Sequence, residues 1–243
     1  MLKRPPEKQW KYRQPPEPFM RVPSAGCLLG PTASGKTTTA IALLLGPYRD
    51  VFDQIWVFSP SAHVDSAYEP LEKHIKNLRL GGGLVSEWDE AKLAEIIDTQ
   101  KKTVAEEKKR NQKKPLTSCL IYLDGWSDRP EYLHRSGGLI TSLYLRNRHL
   151  GLSCWTGSQK MTSVSLTCRI NFRWLLIWRL RSSKELDCVL HELTALYDVD
   201  TLNQMYEMAI GEGDYSFLYV DMIQRQKQDM FWIRFEKRLI VKE

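Results

Sequence analysis

The sequence has no long apolar stretch and no recurring spacing of cysteine or histidine, and each absence excludes a class of protein. The most apolar segment, Phe172 to Leu180, carries two arginines and is far shorter than the ~20 residues that a membrane-spanning helix needs. The five cysteines form no CxxC pair, and the HELTA segment at His191 lacks the second histidine of an HExxH zinc helix. We therefore expect no membrane span, no metal site made only of side chains, and reduced core thiols.

Charge and composition are those of an ordinary globular chain. The 243 residues carry 35 Lys+Arg and 29 Asp+Glu, a net charge of +6, and 42% of them are apolar. This is enough for one sizeable core, or a core plus a small appendage, and it excludes wholesale disorder, collagen-like repeats and coiled-coil rods. The basic N-terminal residues have no apolar stretch behind them, so we predict no secretory signal and expect the protein to act inside a cell.

Two segments are rich in basic residues. Residues 1–23 hold six of the twelve prolines and six basic side chains against two acidic ones, which predicts a basic, proline-rich arm without a core of its own. Lys101 to Lys114 has seven basic side chains against two acidic ones, at the end of a predicted helical insertion at about residues 88–114. Such a run is more often a solvated helix face than a DNA contact, and both interpretations stay open.

From Ser24 onward, short apolar runs alternate with helical patterns. The predicted strands are Ala25 to Leu29, Ile55 to Ser59, Ser118 to Asp124, Leu152 to Ser158 and Trp174 to Leu180. The predicted helices are Lys36 to Leu45, Asp65 to Leu78, Trp88 to about Asn111, Glu131 to Asn147 and Lys184 to Leu196. This alternation is typical of an α/β domain, here over residues 24–243, with a mainly parallel sheet and helices on both faces. Aromatic runs at Asp214 to Met222 and Met230 to Phe235 predict a C-terminal antiparallel β-hairpin.

The segment GPTASGKT, Gly30 to Thr37, satisfies the P-loop pattern GxxxxGK[ST] between a predicted strand and a predicted helix. Its glycines let successive N–H groups point at phosphate oxygens, at the positive end of the helix dipole. Lys36 would then reach the β- and γ-phosphates, and Thr37 would bind Mg²⁺. The predicted nucleotide-binding residues are Gly30, Pro31, Thr32, Ala33, Ser34, Gly35, Lys36, Thr37 and Thr38. The alternative is an ordinary glycine-rich turn.

Two other predicted strands end in polar residues. Asp124 ends an apolar strand, where a carboxylate is costly unless it faces a cation or water, so we predict a second Mg²⁺ ligand there rather than a loop cap. Many hydrolysing P-loop proteins place a second carboxylate directly after this one, and here that position is Gly125. Asp128 and Glu131 are near in sequence, and the catalytic base stays open. Gln159 follows another strand and either contacts the γ-phosphate or lies at the surface.

Arginines at the end of a predicted helix have two interpretations. Arg146 and Arg148 either complement the helix dipole and meet solvent, or one of them stabilises the transferring phosphate of a neighbouring subunit. Their spacing alone does not separate the two.

The order of these motifs resembles the FtsK–HerA superfamily of DNA-pumping P-loop ATPases, with its ASCE or RecA-like sheet. Within it the chain is most similar to the poxvirus-type genome-packaging ATPases of large eukaryotic DNA viruses, virophages and Polinton-like elements. The resemblance covers about residues 24–196. It rests on the P-loop, SCLIYLD, LRNRHLGLSCWTGSQ and CRIN, which contains Arg169 and Asn171.

The resemblance implies a role for each matching residue. Lys36 and Thr37 would bind ATP and Mg²⁺, and Asp124 would be the Walker B carboxylate. Gln159 would be the sensor, on a strand between the P-loop strand and the Walker B strand. Arg148, ahead of Arg146 and Arg169, would be the finger that reaches the adjacent subunit's site.

The resemblance also implies a function and partners. It predicts a ring-shaped homo-oligomer that uses ATP to thread double-stranded DNA into a viral capsid, docked on capsid vertex proteins and without a membrane partner. Gripping phosphates suits a motor because they are the same for every sequence. Two alternatives stay open: a small-molecule or nucleoside kinase, and an assembly factor that binds ATP but hydrolyses it weakly because of Gly125.

Overall fold

The structure, a computed structural model, describes residues 11–110, 114–127, 129–133 and 138–241. The strands in these ranges are β1 (Ala25–Leu29), β2 (Gln54–Phe58), β3 (Gly82–Val85), β4 (Cys119–Asp124), β5 (Leu152–Ser158), β6 (Trp174–Trp178), β7 (Phe217–Asp221), β8 (Phe231–Ile233) and β9 (Lys237–Arg238). The α-helices are α1 (Lys36–Leu45), α2 (Glu69–Lys76), α3 (Glu90–Arg110), α4 (Pro130–Leu133), α5 (Leu139–Leu150), α6 (Leu166–Arg169), α7 (Ser183–Leu193) and α8 (Val199–Gly211).

All nine strands form one sheet in the order β3-β2-β4-β5-β1-β6-β7-β8-β9. The first six run parallel to one another, whereas β7, β8 and β9 pair antiparallel. This confirms the predicted fold class, including the C-terminal antiparallel strands. Since β5 lies between β1 and β4, the carboxyl ends of the P-loop strand, the Asp124 strand and the Gln159 strand meet at one edge of the sheet.

Two apolar cores lie on the two faces of the sheet. Successive side chains of a strand point to opposite faces, so Cys27 of β1 enters one core and Leu28 the other. Helices α3, α5, α7 and α8 cover the first face, and α1 and α2 cover the second. Because both faces are covered, the parallel strands read as continuous apolar runs, and this is why they could be located from the sequence.

Part of the proline-rich segment packs on the second face. Met20 and Val22 are buried in that core, and the Tyr48 hydroxyl donates to the Met20 carbonyl oxygen at 2.5 Å. The Tyr219 hydroxyl donates to the Pro18 carbonyl oxygen at 3.2 Å. The described part of the segment therefore joins the core of the domain. Residues 1–10 lie outside the described residues, and the assignment of 1–23 as an arm stays a prediction.

Several predicted elements differ from the structure. β1, α1 and β5 have the predicted bounds, whereas β3, β9, α6 and α8 were not predicted. The single helix predicted from Glu131 to Asn147 is wrong, since Gly138 is extended and α5 begins only at Leu139 and runs to Leu150. Gly138 interrupts the pattern with an extended ψ of −179°. Residues 134–137 and the predicted helix end at Asn111 lie outside the described residues.

No helix in the described ranges is both long and apolar enough to span a membrane. Cysteines 27, 119, 154 and 168 are buried and all five thiols are free. Burial raises the pKa of Cys27 to about 12, so this thiol behaves as a core hydrophobe, as predicted.

Candidate functional site

The P-loop connects β1 to α1 in a conformation that only a few residue types tolerate. Ala33 has φ +63° and Gly35, the residue before α1, has φ +95°. The Gly30 N–H donates to the Ser158 carbonyl oxygen at 3.1 Å, which anchors the loop to β5. The buried Ser34 hydroxyl oxygen has no hydrogen-bond partner among the described residues. Left-handed turns of this kind point backbone N–H groups into a common hollow, and the unpaired hydroxyl adds a donor for a ligand.

Lys36 folds back on the loop that it follows. Its ammonium donates to the carbonyl oxygens of Gly30 at 2.7 Å and Pro31 at 2.8 Å. Burial lowers the pKa of Lys36, while the charge of Asp124 acts in the opposite direction. Phosphate oxygens are stronger acceptors than these neutral carbonyls, so an incoming triphosphate would draw the ammonium away from them.

Asp124 lies at the end of β4 with 5% of its surface exposed. Its Oδ2 accepts hydrogen bonds from the hydroxyls of Thr37 and Tyr68, both at 2.7 Å. No ion pair to Asp124 is found in the described part of the chain. The structure thus brings a hydroxyl and a carboxylate together, and such hard oxygen ligands fit Mg²⁺.

Two glycines shape the surroundings of Asp124. A Cβ at Gly157 would lie 2.1 Å from Asp124 Oδ1, so only glycine leaves room for the carboxylate. Gly125 has φ +79°, a left-handed conformation that directs the chain away from the strand and strains most side chains. A side chain at position 125 would have space, since the nearest atom to its Cβ would be Pro60 Cδ at 3.7 Å, but it would have to adopt this left-handed conformation.

Tyr68 and Asp65 are site residues that sequence reasoning missed. They belong to the segment after β2, the strand beside β4, and this segment contains a short 3₁₀-helix, Ser66–Tyr68. Burial, and then the nearby Asp124 charge, raise the pKa of the Tyr68 hydroxyl, which keeps it a donor. Asp65 lines the same cavity as the P-loop. The polar run after β2 was a signal, because β2 and β4 are parallel neighbours and end at the same edge.

Gln159 is exposed at the end of β5, and its backbone N–H donates to the Ser127 hydroxyl at 2.9 Å. A cavity of about 290 Å³ lies between it, the P-loop and Asp124. The cavity brings together Lys36, Thr37, Asp124 and Gln159, and the other predicted P-loop residues that line it are Thr32, Ala33, Ser34, Gly35 and Thr38. Their roles in binding and catalysis stay predictions.

A second cleft of about 380 Å³ borders the other side of the P-loop. Pro31 to Ser34 form one wall, and Trp178 to Arg181 and Gly213 to Ser216 form another. Tyr215 is 69% exposed, with φ +62°, and its ring lies beside Gly35. The Trp178 indole N–H donates to the Tyr215 carbonyl oxygen at 3.0 Å and holds the backbone in this conformation.

The predicted arginines lie away from this cavity. Arg148, near the end of α5, is exposed and precedes β5, whose seven residues span roughly 20 Å before Gln159. Arg148 therefore cannot reach the P-loop of its own subunit. Arg169 forms an ion pair with Glu192, with 2.9 Å between Nε and Oε1 in a geometry too bent for a hydrogen bond.

The basic end of α3 and the arginine-bearing end of α5 lie near each other. The Lys108 ammonium donates to the His149 carbonyl oxygen at 3.2 Å, so the end of α3 meets the end of α5. Lys109 and Arg110 are exposed beside this contact. We call this surface the basic edge, and it consists of Lys108, Lys109, Arg110, Arg146 and Arg148. Residues 111–113 lie outside the described residues.

No protein-family profile and no curated protein sequence matches the chain. Solved structures do match. The chain is similar to the genome-packaging NTPase B204 of Sulfolobus turreted icosahedral virus 2 in complex with AMP, with a TM-score of 0.58 and 13% identity over 90% of this chain and 100% of that one. It is also similar to EssC, ATPases 2 and 3, of Geobacillus thermodenitrificans, with a TM-score of 0.60 and 15% identity over 88% of this chain and 39% of EssC.

A third similar structure is the pCW3 conjugation coupling protein TcpA with ATPγS, at a TM-score of 0.58 and 15% identity, over 81% of this chain and 56% of TcpA. The chain thus spans the whole of the B204 chain but about half of TcpA. Identities this low show the fold alone. That fold is the one implied by the resemblance to FtsK–HerA ATPases and viral packaging ATPases, and this expectation is confirmed at the level of the fold.

Proposed function

We propose that the protein is an ATPase that drives double-stranded DNA into a viral capsid as a ring-shaped homo-oligomer. The observation that carries the proposal is the convergence of Lys36, Thr37, Asp124 and Gln159 on one cavity at the carboxyl edge of the sheet. Likeness in fold to a viral genome-packaging NTPase supports the same function. Its place of action would be inside the host cell, in the cytoplasm or nucleus where virions assemble, with capsid vertex proteins as partners.

In this proposal, the P-loop amides and Lys36 hold the β- and γ-phosphates, and the unpaired Ser34 hydroxyl is a further donor. Thr37 and Asp124 would hold Mg²⁺, which would offset phosphate charge. The base and ribose would enter the second cleft, beside Tyr215. Gln159 would contact the γ-phosphate or orient the attacking water, and Arg148 of an adjacent subunit would stabilise the charge on the transferring phosphate.

The decisive experiment compares ATP binding and turnover of the wild type and Lys36→Ala, with and without duplex DNA. We expect Lys36→Ala to abolish turnover and duplex DNA to raise the wild-type rate. A mixture of Lys36→Ala and Arg148→Ala subunits should regain activity, because one subunit keeps a working loop and the other supplies the arginine. Wild-type turnover that rises with a nucleoside but not with DNA would favour a kinase instead.

The basic edge supports the DNA part of the proposal. Replacing Lys108, Lys109 and Arg110 with Ala should reduce the salt dependence of DNA binding by up to about 0.9 in logarithmic slope for each phosphate that the variant no longer neutralises. Lys73→Ala with Lys76→Ala, exposed lysines of α2 on the other face, is the control and should leave the slope unchanged. An unchanged slope in the first variant would remove this edge from the DNA path.

A second candidate function is that of an assembly factor that binds ATP and hydrolyses it weakly. Gly125 favours it, because this position lacks the second carboxylate found in many hydrolysing P-loop proteins. This candidate predicts tight ATP binding with turnover no higher than that of Lys36→Ala, whether or not DNA is present. Brisk DNA-stimulated hydrolysis would exclude it.

A further inference from the structure

We propose that Asp65 is the carboxylate that takes the proton from the attacking water, in place of the side chain that Gly125 lacks. The inference rests on the proposed ATPase function. It starts from an incomplete site, because hydrolysis needs a group that accepts this proton near the γ-phosphate. Asp124 already accepts two hydroxyl hydrogen bonds on Oδ2 and is the proposed Mg²⁺ ligand, so a second carboxylate is needed to accept the proton.

Asp65 and Asp124 are the two carboxylates that line the P-loop cavity within the described residues. Glu131, the other described candidate from the sequence, lines a separate hollow with Trp88 and Tyr132. Asp128 lies outside the described residues and is the rival in the experiment below. Position alone therefore selects Asp65 among the described carboxylates.

The segment that carries Asp65 is held against the site at both of its ends. At its start, the Ser59 N–H donates to the Val85 carbonyl oxygen at 2.9 Å. At its end, Tyr68 donates its hydroxyl to Asp124. A carboxylate on a segment tied directly to Asp124 keeps a fixed position relative to the phosphates, and positioning of this kind is a large part of catalysis.

The two carboxylate oxygens of Asp65 differ in their surroundings. Its Oδ1 accepts the Ala67 N–H at 2.9 Å and caps the 3₁₀-helix, which fixes the carboxylate plane. No hydrogen bond to Oδ2 is found within the described ranges, and the side chain is solvent-accessible where it borders the cavity. Oδ2 is therefore the acceptor for water.

The proposed step is the transfer of the γ-phosphate from ATP to water. The water oxygen bonds to the γ-phosphorus, and the bond between that phosphorus and the β–γ bridging oxygen breaks. The electron pair of the broken bond leaves with ADP. Asp65 Oδ2 takes one water proton and passes it to solvent after phosphate leaves.

Asp65→Asn separates this role from the cap, because an asparagine oxygen can still accept the Ala67 N–H. We expect turnover to fall by about 10²- to 10⁴-fold while ATP affinity stays within about threefold of the wild type. In acid-quenched samples the bound nucleotide should remain ATP rather than ADP. Asp65→Ser, which also keeps a cap, should behave in the same way and covers the case in which the first variant misfolds.

The matched control is Asp198→Asn. Asp198 is an exposed cap whose Oδ1 accepts the Thr201 N–H at 2.9 Å at the start of α8, and it does not line the cavity. We expect wild-type turnover from this variant. Turnover of Asp65→Asn close to wild type, loss of ATP affinity in that variant, or loss of turnover in Asp128→Asn alone would each overturn the assignment. Failure of the proposed function is distinguishable, because the wild type itself would then turn over ATP no faster than Lys36→Ala.

Discussion

The two edges of the parallel sheet each hold a buried carboxylate, and the two carboxylates differ in their partners. At the amino edge, Asp53 is 2% exposed and pairs with Arg13, with Arg79 at 2.8 Å, and with the Ser118 N–H at 3.0 Å. At the carboxyl edge, Asp124 is 5% exposed and accepts only hydroxyl hydrogen bonds among the described residues. Asp53 is ion-paired within the chain, whereas Asp124 has no ion pair among the described residues.

The same contrast extends to the backbone around the two residues. Two non-glycine residues at the carboxyl edge, Ala33 and Tyr215, have positive φ, and the Ser34 hydroxyl there is unpaired among the described residues. Gly81 and Gly151 at the amino edge also have positive φ, but glycine adopts this conformation without strain. Strain and unsatisfied groups persist only where the surrounding structure enforces them, and they cluster at binding sites. The comparison therefore assigns stability to the amino edge and chemistry to the carboxyl edge.

Among the variants that test this comparison, the largest expected effect is on hydrolysis, in Asp124→Asn. An asparagine oxygen still accepts from Thr37 and Tyr68 but carries no charge for a cation, so turnover should fall by about 10²- to 10³-fold. The free energy of unfolding should change by less than about 1 kcal/mol, since the hydrogen bonds are kept. Steady-state turnover and denaturant unfolding measure the two quantities. A stability loss larger than that of the Asp53 variant would break the comparison.

The reverse pattern is expected for Asp53→Asn. Loss of the charge weakens two guanidinium contacts to a buried acceptor, so the free energy of unfolding should fall by about 2–3 kcal/mol. Turnover at saturating ATP should stay near that of the wild type. Hydrolysis that falls in proportion to stability would show that the edges are not separate.

The pH dependence of stability sharpens this prediction. Burial alone would raise the pKa of Asp53, but Arg13, the Ser118 N–H and Arg79 outweigh it and hold the pKa below its ordinary value of 3.8. A depressed folded-state pKa contributes stability above the unfolded value, and this contribution is lost as pH falls from about 4 through the folded pKa. Unfolding at pH 6 and pH 3 should therefore differ more in the wild type than in Asp53→Asn.

A smaller effect is expected for Tyr68→Phe. The variant removes one donor from Asp124 Oδ2 but keeps the ring in the core, so turnover should fall by about 3- to 10-fold, the equivalent of one hydrogen bond. Tyr48→Phe is the control, because it removes a buried hydroxyl that donates to Met20 at a distance from the cavity. Equal effects in both variants would show that the Tyr68 bond acts only on stability.

The smallest effect is expected for Tyr215→Gly. Glycine adopts φ +62° without strain, so the free energy of unfolding should stay the same or rise by up to about 1 kcal/mol. Loss of the ring beside the second cleft should weaken ATP binding by about 2- to 10-fold and leave inorganic tripolyphosphate binding unchanged. If the binding of ATP and of tripolyphosphate weakened equally, the ring would contact the phosphates rather than the base.

The fold was largely predictable because its parallel strands are buried on both faces. β3 was missed because Gly82 and Gly83 give an edge strand little β-propensity. α8 was missed although Asp198 caps it and apolar residues recur with helical spacing at Leu202, Met205 and Ala209.

The site was predictable where the P-loop motif marks it and where a polar residue, Asp124 or Gln159, follows an apolar strand. The P-loop residues are adjacent in sequence, whereas Tyr68 reaches Asp124 across 56 positions. No spacing rule encodes that contact, because it depends on which strand becomes the neighbour of β4. Strand order is a property of the folded sheet, so Asp65 and Tyr68 became visible only with the structure.

The contact between Gly157 and Asp124 has a consequence for recognising this fold in sequences of low identity. A buried leucine can be replaced by valine or methionine after repacking, whereas any side chain at position 157 would collide with the Asp124 carboxylate. A glycine two residues before the glutamine that follows one strand, together with an aspartate at the end of the neighbouring strand, is therefore a pattern that steric exclusion keeps fixed while core residues change.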